Sequence, residues 1–147
     1  YRFLEKVNGI SQIDMLLDFA ITGKMGDIDL MAHEDPRLKG KSLCLLSFPV
    51  TMGNIDKIKG VEKIRAMKDV IYITQLLHDG DAVTKKDMGT LHQLAILINI
   101  CADSREDLIR DIKEIEAEFD VLDTDGNSLL TKPFDVDAYY EIVDNNR

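Results

Sequence analysis

Residues 91–119 read LHQLAILINICADSREDLIRDIKEIEAEF, and two periodicities meet inside this stretch. Leu91 to Ala102 is an apolar, Ile-rich run of the kind that forms a strand. Ser104 then stands where a helix N-cap belongs, with Asp107 three residues on. Leu108, Ile112, Ile115 and Phe119 follow at i, i+4, i+7 and i+11, which places them on one helical face. An apolar stripe on a helix directly after a strand predicts that the helix lies on one face of a sheet.

Working outward, Ser42 to Pro49 and Val70 to Leu77 read as two further strands. Between them Gly60 to Met67 suits a short helix with Val61, Ile64 and Met67 on one side, and His78-Asp79-Gly80-Asp81 is a turn. Asp120 to Leu130 reads strand, Asp-Gly turn, strand. Pro133 is expected to open a last helix whose apolar face carries Val136, Tyr139, Tyr140 and Val143. Towards the N-terminus, Ser11 to Thr22 predicts an amphipathic helix with Ser11 as N-cap, Gly23 as stop and Ile13, Leu16, Leu17, Ala20 and Ile21 on its apolar face. Gly26 to Gly40 has no sustained period and reads as a connection, with Pro36 near a module boundary. The predicted class is α+β: a mostly antiparallel sheet with helices packed on one face, plus an N-terminal helical segment. The expected division is 1–35 and 36–147.

Composition narrows the function classes. The chain has 147 residues, 45% hydrophobic and 31% charged, and a net charge of −9. No apolar run approaches the ~20 residues of a spanning helix, and the start lacks a signal-peptide layout. Neither membrane nor secretion is therefore expected, and Cys44 and Cys101 read as buried thiols of a cytoplasmic protein. Charge is unevenly spread, −4 over residues 1–36, +6 over 37–68 and −11 over 69–147. The basic stretch holds Arg37, Lys39, Lys41, Lys57, Lys59, Lys63, Arg65 and Lys68, and suits either a solvated rim or an anionic substrate. Nucleic acid is not expected as a partner, because the acidic total repels the phosphate backbone and no aromatics interleave these cations.

Catalytic and metal motifs are sparse. Asp123-x-Asp125-Gly126-Asn127 has Ser128 and Phe134 where a calcium loop needs Gly and a bidentate Glu, so it reads as a turn. His33, His78 and His92 share no metal-ligand spacing. There is no GxSxG, no GxGxxG and no Walker loop, and Gly23-Lys24-Met25-Gly26 is too short to wrap a pyrophosphate. No loop offers the cations and amides that a phosphoryl intermediate requires. The expectation is a chain with no catalytic or metal residues of its own.

A longer pattern resembles a known family. It consists of Gly53-Asn54-Ile55-Asp56-Lys57-Ile58-Lys59-Gly60-Val61-Glu62-Lys63-Ile64, then Ala66-Met67-Lys68-Asp69-Val70, Gly80-Asp81-Ala82-Val83, Gly89, and Ala102-Asp103-Ser104-Arg105-Glu106-Asp107-Leu108. In order and spacing this is similar to the C-terminal module of ATP-grasp carboxylate–amine ligases, the group that includes L-amino-acid ligases, biotin carboxylase and carbamoyl-phosphate synthase. Gly9-Ile10-Ser11-Gln12-Ile13-Asp14-Met15-Leu16-Leu17 similarly resembles the last helical stretch of an ATP-grasp domain, so the resemblance covers most of the chain. Asn54 stands where the family commonly has Ser or Thr.

The resemblance implies that residues 1–35 end an ATP-grasp domain and 36–147 form the C-terminal α+β module of an ATP-dependent ligase. The family's lysine pair, adenine-contacting strand and metal-holding Glu-x-Asn would precede Tyr1. ATP and Mg would thus belong to the full-length enzyme, with no cofactor in this segment. The segment begins with Tyr rather than Met and is read as a piece of a longer protein, structural and inactive alone. Its expected partners are the remainder of the ATP-grasp chain and a second copy in a homodimer. Lys63 and Arg65 are the candidate substrate-binding residues, on the short helix within the only positive stretch. Two alternatives stand beside this. One is a stand-alone α+β binding or dimerisation module. The other is a biotin-carrier-like domain modified on Lys68, because Ala66-Met67-Lys68 matches the core of that family's Ala-Met-Lys-Met signature, with Asp69 in place of the second Met.

Overall fold

In chain order the computed structural model, which describes residues 2–131 and 134–145, runs α1 (Arg2–Asn8), α2 (Gln12–Thr22), α3 (Leu30–His33), β1 (Ser42–Pro49), β2 (Gly53–Asn54), β3 (Lys57–Lys59), α4 (Val61–Arg65), β4 (Val70–Gln75), β5 (Ala82–Val83), β6 (Leu94–Ala102), α5 (Arg105–Glu118), β7 (Asp120–Leu122) and α6 (Val136–Asn145). The main sheet has the order β1-β6-β4, and both pairings are antiparallel. β6 is the central strand: Ile96, Ile98 and Ile100 are fully buried on one face, and Leu46 and Ile73 pair with Ile98 from either flank. The class is α+β, as expected.

α5 lies on that face. Leu108, Ile112, Ile115 and Phe119 join the core, and Phe119 meets Phe48 with ring centroids 4.7 Å apart. Its start is fixed as the sequence suggests: Asp107 N donates to Ser104 Oγ at 3.0 Å, and Ser104 Oγ donates to Asp107 Oδ2 at 2.7 Å. α4 supplies Ile64, fully buried, with Val61 and Met67 packed at the margin. α1 touches the sheet from the opposite side, contacting β4 and β6, with the Arg2 guanidinium 4.5 Å from the centre of the Tyr72 ring. Tyr72 pairs with Asn99, one residue out of phase with the Ile98 row, which identifies the outer face.

The short strands explain why the quoted motifs occur in that order. Gly53 and Asn54 pair with Val83 and Ala82, Ile55 N donates to Asp81 O at 2.8 Å, and Gly80 N donates to Ile55 O at 2.9 Å. The Gly-Asn-Ile and Gly-Asp-Ala-Val segments are therefore two sides of one contact. β3 pairs with β7, which brings Gly60 against the end of α5.

Several local readings change. Leu91–Gln93 is a 3-10 turn capped by Thr90 Oγ1, which accepts from His92 N, so the strand begins at Leu94. β4 ends at Gln75 because Leu76 N and Leu77 N both turn onto Ala95 O. The second strand of the 120–130 hairpin is reduced to two bridges, Leu122 with Ser128 and Val50 with Leu130. Its backbone is shared with the end of β1: Leu129 N donates to Val121 O at 2.7 Å, whereas Leu129 O accepts from Thr51 N at 2.8 Å and Thr131 N donates to Pro49 O at 3.0 Å. The 26–40 connection contains α3 and a 3-10 turn at Leu38–Gly40. Pro133, expected to open the last helix, lies outside the described residues. Among those described, α6 begins at Val136, with Asp135 Oδ1 accepting from Ala138 N at 3.0 Å.

Candidate functional site

Two concave regions stand out, one charged and one apolar. The charged cleft, about 350 Å³, opens where α4 and its connection to β4 face α5, and it is lined by Lys63, Lys68, Asp69, Arg110, Asp111 and Glu114. Lys63, a candidate from the sequence, is on its wall and is ion-paired to Glu118. Arg65, the other candidate, is not among the lining residues, and its Nε lies 3.6 Å from Glu62. The fold thus separates the two cations that sequence proximity had grouped.

The basic stretch is largely met by the chain's own acids. Lys41 and Lys68 converge on Asp103, the latter at 2.9 Å, and Lys57 Nζ lies 3.6 Å from Asp79. The hydrogen bond from Lys41, with that from Lys68 and the field of both cations, holds the Asp103 carboxyl down to about 2, and Asp103 in turn raises both lysines. Folding thus sets Lys41, Lys57, Lys63 and Lys68 of the basic 37–68 segment against acids of the 69–147 segment.

Lys68 lies between α4 and β4, with its ammonium on Asp103 and 3.8 Å from Asp69 Oδ1. A biotin acceptor needs a lysine projecting from a hairpin tip, and Lys68 does not occupy one. Asp123 Oδ1 accepts from Asp125 N at 2.9 Å and Asn127 N at 2.8 Å, so the Asp123–Asn127 segment closes as a side-chain-bonded turn. Among the described residues no group of three or more His, Cys, Asp or Glu could hold a metal ion. Cys101 is buried and Cys44 half-buried, and burial raises both thiols, so neither is a ready thiolate.

Asp69 and Asp111 escaped the sequence reading. Both are buried, at 8% and 5% exposure. Asp111 carried a legible signal: it is three residues after Leu108 and four before Ile115, on the helix side that faces the core. Asp69, next to Lys68 in a polar stretch, carried none.

The apolar groove, about 630 Å³, is formed by α1, α2 and α3 and lined by Leu4, Ile10, Met15, Leu16, Leu30 and Met31 among others. α2 forms as expected: Asp14 N donates to Ser11 Oγ at 3.2 Å, and Gly23 closes the helix with φ +74°. Only Met15 of α2 is buried. Leu16 is 57% exposed and Ile21 81%, and Met31 of α3 is 75% exposed. An apolar helix stripe this exposed is a surface shaped for contact. Asp14, Asp18 and Glu34 lie on the same helices or at their ends, and Glu34 lines the groove.

No family model matches the chain, and no curated protein matches it significantly. Among solved structures, an L-amino acid ligase from Bacillus licheniformis superimposes with a TM-score of 0.60 at 16% identity, over 82% of this chain. The chain spans 28% of the length of that ligase. The two share an α+β fold across most of the present chain.

Proposed function

We propose that the chain is the C-terminal region of an ATP-grasp ligase that uses ATP to join a carboxylate to an amine. In this reading the segment is structural: it completes the enzyme and does not react alone. The observation that supports it most is the fold shared with part of an L-amino acid ligase. The exposed apolar side of α2 and the groove beside it favour the same reading, since they supply a face for the remainder of an ATP-grasp domain to cover. ATP and Mg would be held outside this segment. Residues 1–35 would then close the ATP-grasp domain, and residues 36–147 would form the wall of its cleft.

Lys63 is the cation best placed to meet a substrate anion, through the charged cleft, once Glu118 gives way. Arg65 stands outside that cleft and is the comparison residue. In the full-length enzyme, Lys63→Ala would raise KM for the anionic substrate, with Arg65→Ala changing it less. Unchanged kinetics for both would remove the substrate role.

Calorimetric titration of the purified chain with Mg-ATP tests the proposed silence. No binding heat and no ADP are expected, and micromolar affinity for ATP would overturn the reading. The same exposed face also suits a stand-alone dimerisation module, which sedimentation would reveal as a stable dimer of the isolated chain.

A further inference from the structure

The apolar groove of α1, α2 and α3 is edged by acids that meet no cation. Between residues 9 and 36 stand Asp14, Asp18, Asp27, Asp29, Glu34 and Asp35, against the single cation Lys24. Elsewhere in the chain Lys41, Lys57, Lys63, Lys68, Arg105, Arg110 and Lys113 each have an acid partner. Among the described residues, none of the six acids near the groove is ion-paired.

Two of the six are spent on backbone. Asp29 Oδ1 accepts from Met31 N at 3.1 Å, and Asp35 Oδ1 accepts from Arg37 N at 2.8 Å. Asp14, Asp18 and Glu34 are exposed. Glu34 lines the groove. Asp18 Oδ2 lies 3.2 Å from where a Cβ on Gly26 would stand, next to the groove residue Met25, and Asp14 is one turn before Asp18 on α2. The cations of α1 are engaged elsewhere: Arg2 and Lys6 line a separate cleft with Ile71, and Arg2 stacks on Tyr72.

The shape suits a helix. α2 is about 16 Å long, which matches three turns of a second helix laid beside it. Leu4, Leu16, Leu30 and Met31 give the groove exposed apolar side chains, and the unbranched Met15, Met25 and Met31 can adjust to what enters. An amphipathic helix laid in an apolar groove is a recurrent mode of recognition.

We propose that this groove takes an amphipathic helix whose apolar face is flanked by Lys or Arg. For the source of that helix the proposal rests on the ligase reading above: it belongs to the remainder of the ATP-grasp chain. A second copy of this chain fits poorly, because a twofold contact would set the unpaired acids of one groove against those of the other. An anionic lipid surface would meet the same acids.

The test is fluorescence anisotropy of the full chain with two labelled peptides of about four helical turns, which share one Leu face and carry either Lys or Glu beside it. The Lys peptide should bind about tenfold more tightly, since three exposed ion pairs at the rim contribute about a factor of two each. The preference should shrink to about twofold at roughly 1 M NaCl. Leu16→Asn should weaken the Lys peptide about tenfold through lost apolar burial. Asp18→Asn combined with Glu34→Gln should bring the two peptides together. Equal affinities for wild type would overturn the proposal, as would Lys-peptide binding unmoved by Leu16→Asn, or no binding of either peptide. A stable dimer in sedimentation that the Lys peptide does not dissociate would overturn it by making a second copy the occupant. These failures are distinct from failure of the ligase reading: an upstream frame without an ATP-grasp domain removes the source and leaves the peptide preference, whereas equal affinities remove the preference and leave the ligase reading.

Discussion

Gly60 is where the route of the chain is tightest, and replacing it with Ala separates two costs that usually arrive together. Gly60 has φ +85°, and a Cβ built there would lie 2.3 Å from the Glu118 carbonyl oxygen and 2.8 Å from its carbon. The first cost is the left-handed backbone, about 1 kcal/mol for a residue with a Cβ. The second is overlap with backbone that pairing of β3 with β7 fixes in place, so no side chain can swing aside. Overpacking of this kind costs about 1–3 kcal/mol. The expected total is about 2–4 kcal/mol. With a urea dependence of about 2 kcal/mol per molar, the midpoint should fall by about 1–2 M. Gly80→Ala is the control: its φ is +91°, but nothing lies within 4 Å of the built Cβ, so it should lose only the first cost, about 0.5 M. Equal midpoints for the two variants would refute the claim that α5 and the start of α4 meet backbone to backbone.

Other expectations follow from named contacts. Ser104→Ala removes the acceptor for Asp107 N and should cost about 1 kcal/mol by urea denaturation, with Ser104→Asp nearly neutral. Asp103, held at about 2 by Lys41 and Lys68, contributes stability that is present above the unfolded carboxyl value and is lost as pH falls through about 2. Asp103→Asn should therefore flatten the acid limb of thermal unfolding, and an unchanged limb would show that both ion pairs are idle. Leu16→Glu, on a residue 57% exposed, should leave the melting of the isolated chain within about 0.5 kcal/mol of wild type. In full-length protein the same change should lower yield or activity if the apolar face is covered there, and full activity would show that it is not.

The parts of the fold that were legible are those whose burial repeats along the chain. β1 runs from Ser42 to Pro49 as read, and the α5 stripe from Leu108 to Phe119 is the stripe that meets the sheet. Ser11, Ser104 and Gly23 cap as expected because a cap is decided within four residues. What the sequence hid depends on distant partners. The pairing of Gly53 with Val83, of β3 with β7, and of Leu129 with Thr51 leaves no local trace, because strands of two or three residues have no period to read. The candidate cations suffered likewise: Lys63 and Arg65 are neighbours in sequence, yet only one lines the cleft. Asp111 was visible in principle as an acid on an apolar stripe, whereas the burial of Asp69 could be learned only once α5 was laid across the α4–β4 connection. The stripe of α2 was read correctly as amphipathic, but its exposure could be learned only from the fold.

In the proposed function the apolar N-terminal face lies against the nucleotide-holding part of a ligase. Sequencing the gene upstream of the codon for Tyr1 tests this most directly. The expected result is an open frame that carries an ATP-grasp domain, with its lysine pair and a Glu-x-Asn metal motif, running without a break into residues 1–35. A start codon directly before Tyr1, or an unrelated domain in that position, would contradict it.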